Sequence, residues 1–419
     1  MAKVCVLGMG FVGLTLSAVL AQKGHEVHGV DPNEKLINSL KENKPHFHEN
    51  GLIEVLKNYS QKIFYYTSHP KQKMDCYIVC VGTPINNDKS VNDKYVIEAA
   101  QTISQNISGS ELIMLRSTVK VGICRNIVKK ILDSSAKKYF LAFCPERAIE
   151  GKAIEEQLTL PQIIGGIDKE STAKADEFFK TIVAETVLMN SIEEAEMVKL
   201  LNNSYRDLTF AFANEVALMC NSLGIDTNKT IEAANYNYKR SNIPKPGFVG
   251  GTCLTKDSYI LSQSAQNLPG KKLVTMAREL NESMPQYVAQ KIAAKLKSKS
   301  AKIFISGLAF KGKPETDDTR NSPTLDLILH LQKSGFTNVS CHDFAISEQK
   351  TKELGFNYQN LEDGAKQADC IIIGNNNQKY SACGLEEIIS KKNSGLIFDV
   401  WNVLDKKKVN NFKIDYLSL

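Results

Sequence analysis

The sequence predicts an α/β protein of two Rossmann-like, doubly wound domains joined by a long central helical region. Three observations carry this reading. Short apolar, β-rich runs alternate with helix-like segments over residues 3–165; the same pattern returns after residue 300; and the stretch between them has apolar residues at helical spacing. The expected boundaries are 1–190, 191–299 and 300–419, since 419 residues are too many for one core.

The first domain rests on the runs "KVCVLG", "EVHGVD", "DCYIVCVG", "ELIMLRST", "YFLAFCPE" and "PQIIGG". Runs of this length, apolar throughout, suit a parallel sheet covered on both faces. The first strand leads directly into "GMGFVG", residues 8–13. Gly8 makes a tight turn, Gly10 lets the backbone approach a pyrophosphate and Gly13 permits close helix–strand packing. The helix opening at Phe11 and Val12 aims N–H donors at the anion. Asp31 ends the next strand 18 residues after Gly13 (31 − 13), where a carboxylate accepts hydrogen bonds from ribose hydroxyls. The acid favours NAD over NADP, whose 2′-phosphate would meet like charge.

In the middle of the chain, residues 190–224 read as one long helix or a broken pair, with Ser191 as cap ahead of Glu194 and Gly224 at the end. A second helical stretch, near 271–296, is expected to be interrupted at Pro285. Strands resume with "KIFISGLAF", "NVSCHDF", "DCIIIGNNN" and "GLIFDVWN", which make the third domain.

Composition excludes several classes. The net charge of +6 comes from scattered lysines without interleaved aromatics, so no nucleic-acid partner is expected. No run reaches the roughly 18 to 20 apolar residues of a membrane span. The chain enters its first strand without a signal-peptide pattern, and a cytoplasmic location is expected. The ten cysteines form no CxxC pair and mostly sit in apolar runs, which points to reduced, buried thiols; no metal site is expected.

Cys253 stands apart. It lies in "GGTCLTKD", within a loop of turn formers and basic groups that offers it no core to fill. Lys256 and Asp257 act on a nearby thiol in opposite senses, and a thiolate is a nucleophile. A thiol beside NAD suits an alcohol oxidised past the aldehyde: the thiolate captures the aldehyde, a second hydride leaves, and a thioester is hydrolysed to the acid.

The motifs "GMGFVG", "VCVGTP", "LRSTV", "CPERAIEG", "EAEMVKLLNNSYRDLTFAFANEVA", "PGFVGGTCLTKD", "ARELNESMPQYV" and "GLAFKGKPETDDTRNSP" run in order over nearly the whole chain. Together they resemble the nucleotide-sugar 6-dehydrogenases of the UDP-glucose/GDP-mannose dehydrogenase family. The resemblance implies oxidation of C6 of a nucleotide-linked hexose to a uronic acid with two NAD per turnover. Cys253 would be the nucleophile. Lys199 and Asn203, four apart on one helix face, would stabilise an oxyanion. Asp257 would help position water and proton transfers, and Glu150 with Thr118 would order the hydrolytic water. Thr83, Ser117, Thr118 and Glu146 would line the nicotinamide side. Gly250 and its loop would cradle the diphosphate, with Lys256, Arg240, Lys311 and Arg320 as candidate substrate contacts. Arg320 resembles a family arginine that reaches the partner's substrate, and the central helices imply a homodimer.

Within the family the chain is intermediate. "KPGFVGG", "RSNI" and "DSYIL" resemble enzymes of UDP-N-acetylhexosamines, while Glu150 and the "KD" after Cys253 resemble UDP-glucose enzymes. "FKGKPETDD" has an extra glycine–lysine, and Trp401 stands where an arginine is usual. The motifs favour a UDP-N-acetylhexosamine such as UDP-GlcNAc or UDP-ManNAc slightly, with UDP-glucose 6-dehydrogenation as the alternative. Two further readings are a two-electron hydroxyacid dehydrogenase, which needs neither Cys253 nor the third domain, and a silent nucleotide-sugar-binding protein.

Overall fold

The computed structural model describes residues 1–265, 268, 270–409 and 411–419, with 406 and 407 as backbone only. Among these, fourteen strands form two sheets. The first holds β1 (Lys3–Leu7), β2 (Glu26–Val30), β3 (Ile63–Tyr66), β4 (Cys76–Val79), β5 (Glu111–Leu115), β6 (Tyr139–Phe143), β7 (Gln162–Gly166) and β8 (Thr186–Leu188). The second holds β9 (Ile303–Ser306), β10 (Val339–His342), β11 (Asn357–Tyr358), β12 (Cys370–Ile373), β13 (Leu396–Asp399) and β14 (Asp415–Ser418).

The strand orders are β3-β2-β1-β4-β5-β6-β7-β8 and β11-β10-β9-β12-β13-β14. Each sheet winds outward from its first strand in one direction and then in the other. The reversal falls between β1 and β4, and between β9 and β12, the places where such sheets bind ligands beyond their carboxyl ends. Alternate residues bury opposite faces. Val4 and Val6 join one core while Cys5 and Leu7 join another, and in the second sheet Ile303 and Ile305 oppose Phe304. Two buried faces are why these strands read as unbroken apolar runs.

The two doubly wound sheets expected from the sequence are present, with three differences. The pair β6–β7 is antiparallel, so the segment between them both leaves and re-enters at the same edge of the sheet. Four strands escaped the sequence pattern: β3, β8, β11 and β14. All four are sheet edges, and they are short or only partly buried, so they lack the continuous apolar signal. Pro285 does not interrupt its helix, which runs from Leu273 to Lys295. A proline costs a helix interior roughly 3 kcal/mol, and here Met284, Val288 and Ile292 bury into the second unit's core around it.

The long helix is single, Ile192–Leu223, and ends at Gly224 in the left-handed region. Ser191 Oγ accepts from Glu194 N–H, while the Glu194 carboxylate reaches back to Asn190 N–H. The chain divides into two compact units, Met1–Asn203 with Tyr259–Leu268, and Ser204–Ser258 with Pro269–Leu419. Both the long helix and the helix Leu254–Ser264 pass from one unit into the other. Among the described residues no helix is long and apolar enough to cross a membrane.

Candidate active site

In the first unit the turn between β1 and the helix Phe11–Gln22 has the geometry of a phosphate cradle. Gly8 has φ +93°, and a Cβ there would lie 2.8 Å from the Cys80 carbonyl oxygen. At Gly13 a Cβ would overlap the Gly8 carbonyl, whereas at Gly10 it would project into open space. The helix starts without any acidic residue in its first turn or a side-chain cap, so its first N–H groups and dipole remain for an anion. A cavity of about 630 Å³ opens here, lined by Gly8, Gly10, Asp31, Pro32, Tyr95 and Thr102 among others. Asp31 accepts from Met9 N–H at 2.9 Å and Asn33 N–H at 3.0 Å, which fixes the carboxylate at the cavity wall with lone pairs to spare. These residues fit a dinucleotide.

Beyond β4 and β5 lie Thr83, Ser117 and Thr118. Thr83 and Ser117 are buried, and the Ser117 hydroxyl donates to the Val81 carbonyl at 2.7 Å, tying the two loops together. Because β7 is antiparallel to β6, the loop carrying Glu146 and Glu150 stays at one sheet edge. The two glutamates have different surroundings there. Glu146 is buried and ion-paired with Arg116, whose other arm donates to Gln162, and its Oε1 accepts from Arg147 and Ala148 N–H. Burial opposes its charge, but the Arg116 guanidinium and the backbone donors outweigh burial and hold the carboxyl below its usual range. Glu150 is half-buried, next to Gly151, whose N–H donates to Glu49 and whose carbonyl accepts from Asn50.

Lys199 and Asn203 project from the first unit's part of the long helix. Lys199 is 8% exposed, and its ammonium donates to the Glu146 carbonyl at 2.5 Å. Glu196, one turn earlier and fully buried, accepts from Gly122 and Cys124 N–H, which fixes the helix against the loop that follows Thr118. Burial pushes the Glu196 carboxyl up.

In the second unit, Cys253 is exposed, whereas eight of the other nine cysteines are buried and Cys383 is intermediate. Burial pushes the thiols of Cys80 and Cys144 up to about 12. The sequence pattern places Lys256 and Asp257 in a loop; they form instead the first turn of the helix Leu254–Ser264, and the Cys253 carbonyl accepts from Lys256 and Asp257 N–H. Cys253 is therefore the N-cap, where the positive end of the helix stabilises an anionic centre. Asp257 is fully buried and accepts from Lys256 Nζ at 2.8 Å. Gly251, at φ +88°, lies against the Phe310 ring, 2.7 Å from where a Cβ would sit. Lys311 stacks over that same ring. At Gly250 a Cβ would overlap the Asn321 carbonyl and Pro323.

The remaining cations are engaged on the surface. Arg320 forks onto Asp318, and Arg240 stacks over the Tyr238 ring at 4.9 Å. Among the candidate residues, Lys199 meets Glu146 in the first unit; in the second, Lys256 pairs with Asp257 in the helix that Cys253 opens, and Lys311 shares the Phe310 ring with Gly251. Arg116, Glu49, Glu196 and the buried Asp207–Arg278 pair were not singled out from the sequence. Arg116 sits inside the quoted "LRSTV", and its place before two hydroxyl residues at a strand end was the available signal.

Three sequence models of the UDP-glucose/GDP-mannose dehydrogenase family match: the NAD binding domain over residues 2–183, the central domain over 193–283 and the UDP binding domain over 304–406. The chain is 33% identical over 425 residues to the UDP-N-acetyl-D-mannosamine dehydrogenase of Methanocaldococcus jannaschii, covering 99% of this chain and 96% of that one. Among solved structures it resembles the UDP-D-ManNAc dehydrogenase from Pyrococcus horikoshii, with a TM-score of 0.88 at 28% identity over 99% of both chains. It matches a UDP-glucose dehydrogenase from Pyrobaculum islandicum with a TM-score of 0.88 at 29% identity, over 100% of this chain and 97% of that one.

Proposed function

Since the chain belongs to the UDP-glucose/GDP-mannose dehydrogenase family, we propose that it oxidises C6 of a UDP-linked N-acetylhexosamine, UDP-N-acetyl-D-mannosamine foremost, to the uronic acid. The observation that carries this reading is Cys253: of ten cysteines it alone is exposed, and it caps a helix in a glycine loop. The choice of sugar is supported by the name of the Methanocaldococcus jannaschii relative. UDP-glucose is the second reading, favoured by Glu150 and by the lysine–aspartate pair after Cys253.

In the first oxidation the C6 hydroxyl loses a proton and its carbon loses a hydride, giving the aldehyde. Gly8–Gly13 and Asp31 would hold NAD, which would supply the hydride acceptor for this oxidation and, as a second molecule, for the later one. The Cys253 sulfur adds to the aldehyde carbon, forming a C–S bond, and the carbonyl oxygen takes a proton to become the hydroxyl of a thiohemiacetal. Loss of a hydride and that proton leaves a thioester. Water then attacks the thioester carbon, the C–S bond breaks, and the thiol and the acid are released.

Lys199 and Asn203 are the donors for the oxygen that carries negative charge in these steps. Lys199 suits the role because the Glu146 carbonyl holds its ammonium in one place. Glu150 and Thr118 order the attacking water, and Asp257 takes part in its proton transfers. Thr83, Ser117 and Glu146 frame the nicotinamide side, with Glu146 acting through its Arg116 pair as a fixed wall rather than a base. Gly250, Lys256, Arg240, Lys311 and Arg320 are assigned to the nucleotide sugar.

A second copy of the chain covers the long helix. Tyr205, Phe212, Met219 and Leu223 recur along it with the spacing of one face, and they are 68%, 51%, 54% and 72% exposed. An apolar row of this kind on a 32-residue helix fits a self-complementary partner. The free thiols suit a reducing, cytoplasmic setting. The substrate assignment is tested by kcat/KM for NADH formation with UDP-N-acetylmannosamine, UDP-N-acetylglucosamine and UDP-glucose. UDP-N-acetylmannosamine is expected to lead; a lead for UDP-glucose would replace the reading by its alternative.

A further inference from the structure

Two deeply buried charges of the second unit bond to the backbone and side chains around the loop that carries Cys253. Asp207, on the long helix, is fully buried, and Arg278, on the helix Leu273–Lys295, is 1% exposed. Arg278 Nη1 donates to Asp207 Oδ1 at 2.9 Å, and its Nη2 donates to the Val249 carbonyl at 3.1 Å. Asn281, one turn further along, donates to Asp207 Oδ1 at 2.8 Å and to the Asp207 carbonyl at 2.9 Å. Ser258, in the helix capped by Cys253, donates to Asp207 Oδ2 at 2.9 Å. Asn214, two turns after Asp207, holds Gly247 by both ends of its backbone. Its Oδ1 accepts from Gly247 N–H at 2.9 Å, and its Nδ2 donates to the Gly247 carbonyl at 3.0 Å and to Asn281 Oδ1 at 2.9 Å.

Stability alone does not account for this arrangement. Taking an ion pair out of water costs several kcal/mol per ion, and well-packed apolar residues do as well or better. What an apolar core cannot do is bind the backbone of an irregular loop at chosen atoms. The network grips Gly247 and Val249 upstream of Cys253 and Ser258 downstream of it. The loop's glycines are also closely packed by other side chains and backbone. A Cβ at Gly247 would overlap the Trp401 ring, one at Gly250 the Asn321 carbonyl, and one at Gly251 the Phe310 ring. Trp401 is braced edge-on against Phe210, with centroids 6.2 Å apart.

We propose that Asp207, Arg278, Asn281 and Asn214 are positioning residues for the reaction: by pinning Gly247, Val249 and Ser258 they set where the Cys253 sulfur is presented. The inference rests on Cys253 as the nucleophile. Its consequence is that the loop's placement, and not the thiol alone, sets the chemical rate. Displacing a reacting group by about 1 Å costs on the order of 100-fold in rate.

Trp401 is the one tryptophan of the sequence, so its fluorescence reports the position of Gly247 without a label. The test uses the full chain with Asn214→Ala, which keeps a good helix former, and Arg278→Lys, which keeps the charge and loses the two-armed geometry. Far-UV circular dichroism identifies whichever is folded. Expected are a red-shifted Trp401 emission, kcat for NADH formation lowered roughly 10- to 100-fold, and KM for NAD within about twofold of the parent. Cys253→Ser is measured alongside. If Cys253→Ser abolishes acid formation while the folded network variant keeps kcat within about twofold of the parent, positioning is overturned and the nucleophile stands. If Cys253→Ser still forms acid at the parent rate, the nucleophile reading falls and positioning falls with it.

Discussion

Lys199 is a cation with almost no water around it, anchored on the Glu146 carbonyl while Glu146 itself is held by Arg116. A fixed, desolvated donor is worth more to a developing oxyanion than a mobile one in water. Lys199→Ala is therefore expected to lower kcat by roughly 100- to 1,000-fold, the loss seen when one oxyanion donor is removed. Steady-state NADH formation checks this, and an unchanged kcat would take Lys199 out of the chemistry. At this scale legibility in the sequence depended on polarity. Cys253 was legible because a thiol in a loop of glycines, prolines and lysines has no core to fill. Arg116, Asp207 and Arg278 were not, because a charged residue is exposed in most contexts and only the fold shows which ones have been enclosed with their partners.

The elements were legible where both faces of a strand are covered. β1, β4, β5, β6, β9, β12 and β13 are buried along nearly their whole length and stood out as apolar runs, while the edge strands β3, β8, β11 and β14 did not. The helix through Pro285 departs from its sequence pattern because local preference yields there to packing. One strand end has a measurable pH signature. His342, closing β10, is 8% exposed and bonded to Ser306, and burial pushes its imidazole down to about 4. The unfolded chain takes up a proton near pH 6.5, which the folded state refuses until about pH 4. Stability from this group is thus complete above 6.5 and is lost as pH falls through that window. Denaturation followed by Trp401 emission should show the second unit weakening from pH 6.5 to about 4, and His342→Asn should flatten that slope. An equal slope in the variant would assign the effect elsewhere.

At the scale of the molecule, the proposed site residues fall in both units: the glycine turn Gly8–Gly13 and Lys199 in the first, the Cys253 loop in the second. The return of the strand pattern after residue 300 announced the second sheet, but the seam that puts Lys199 and Cys253 in different units was not readable. The chain crosses between the units inside two continuous helices, where no loop or change of composition marks it. The exposed row on the long helix makes a prediction about assembly. Phe212→Glu is expected to convert a dimer into a monomer by sedimentation velocity, and an unchanged mass would place the interface elsewhere. The central claim is that one enzyme carries C6 through two oxidations, with Cys253 holding the sugar between them. Its most direct test counts NADH formed against UDP-sugar consumed at completion. Two NADH per sugar, with uronic acid as product, is the predicted result; one NADH per sugar, with product at the aldehyde level, would contradict it.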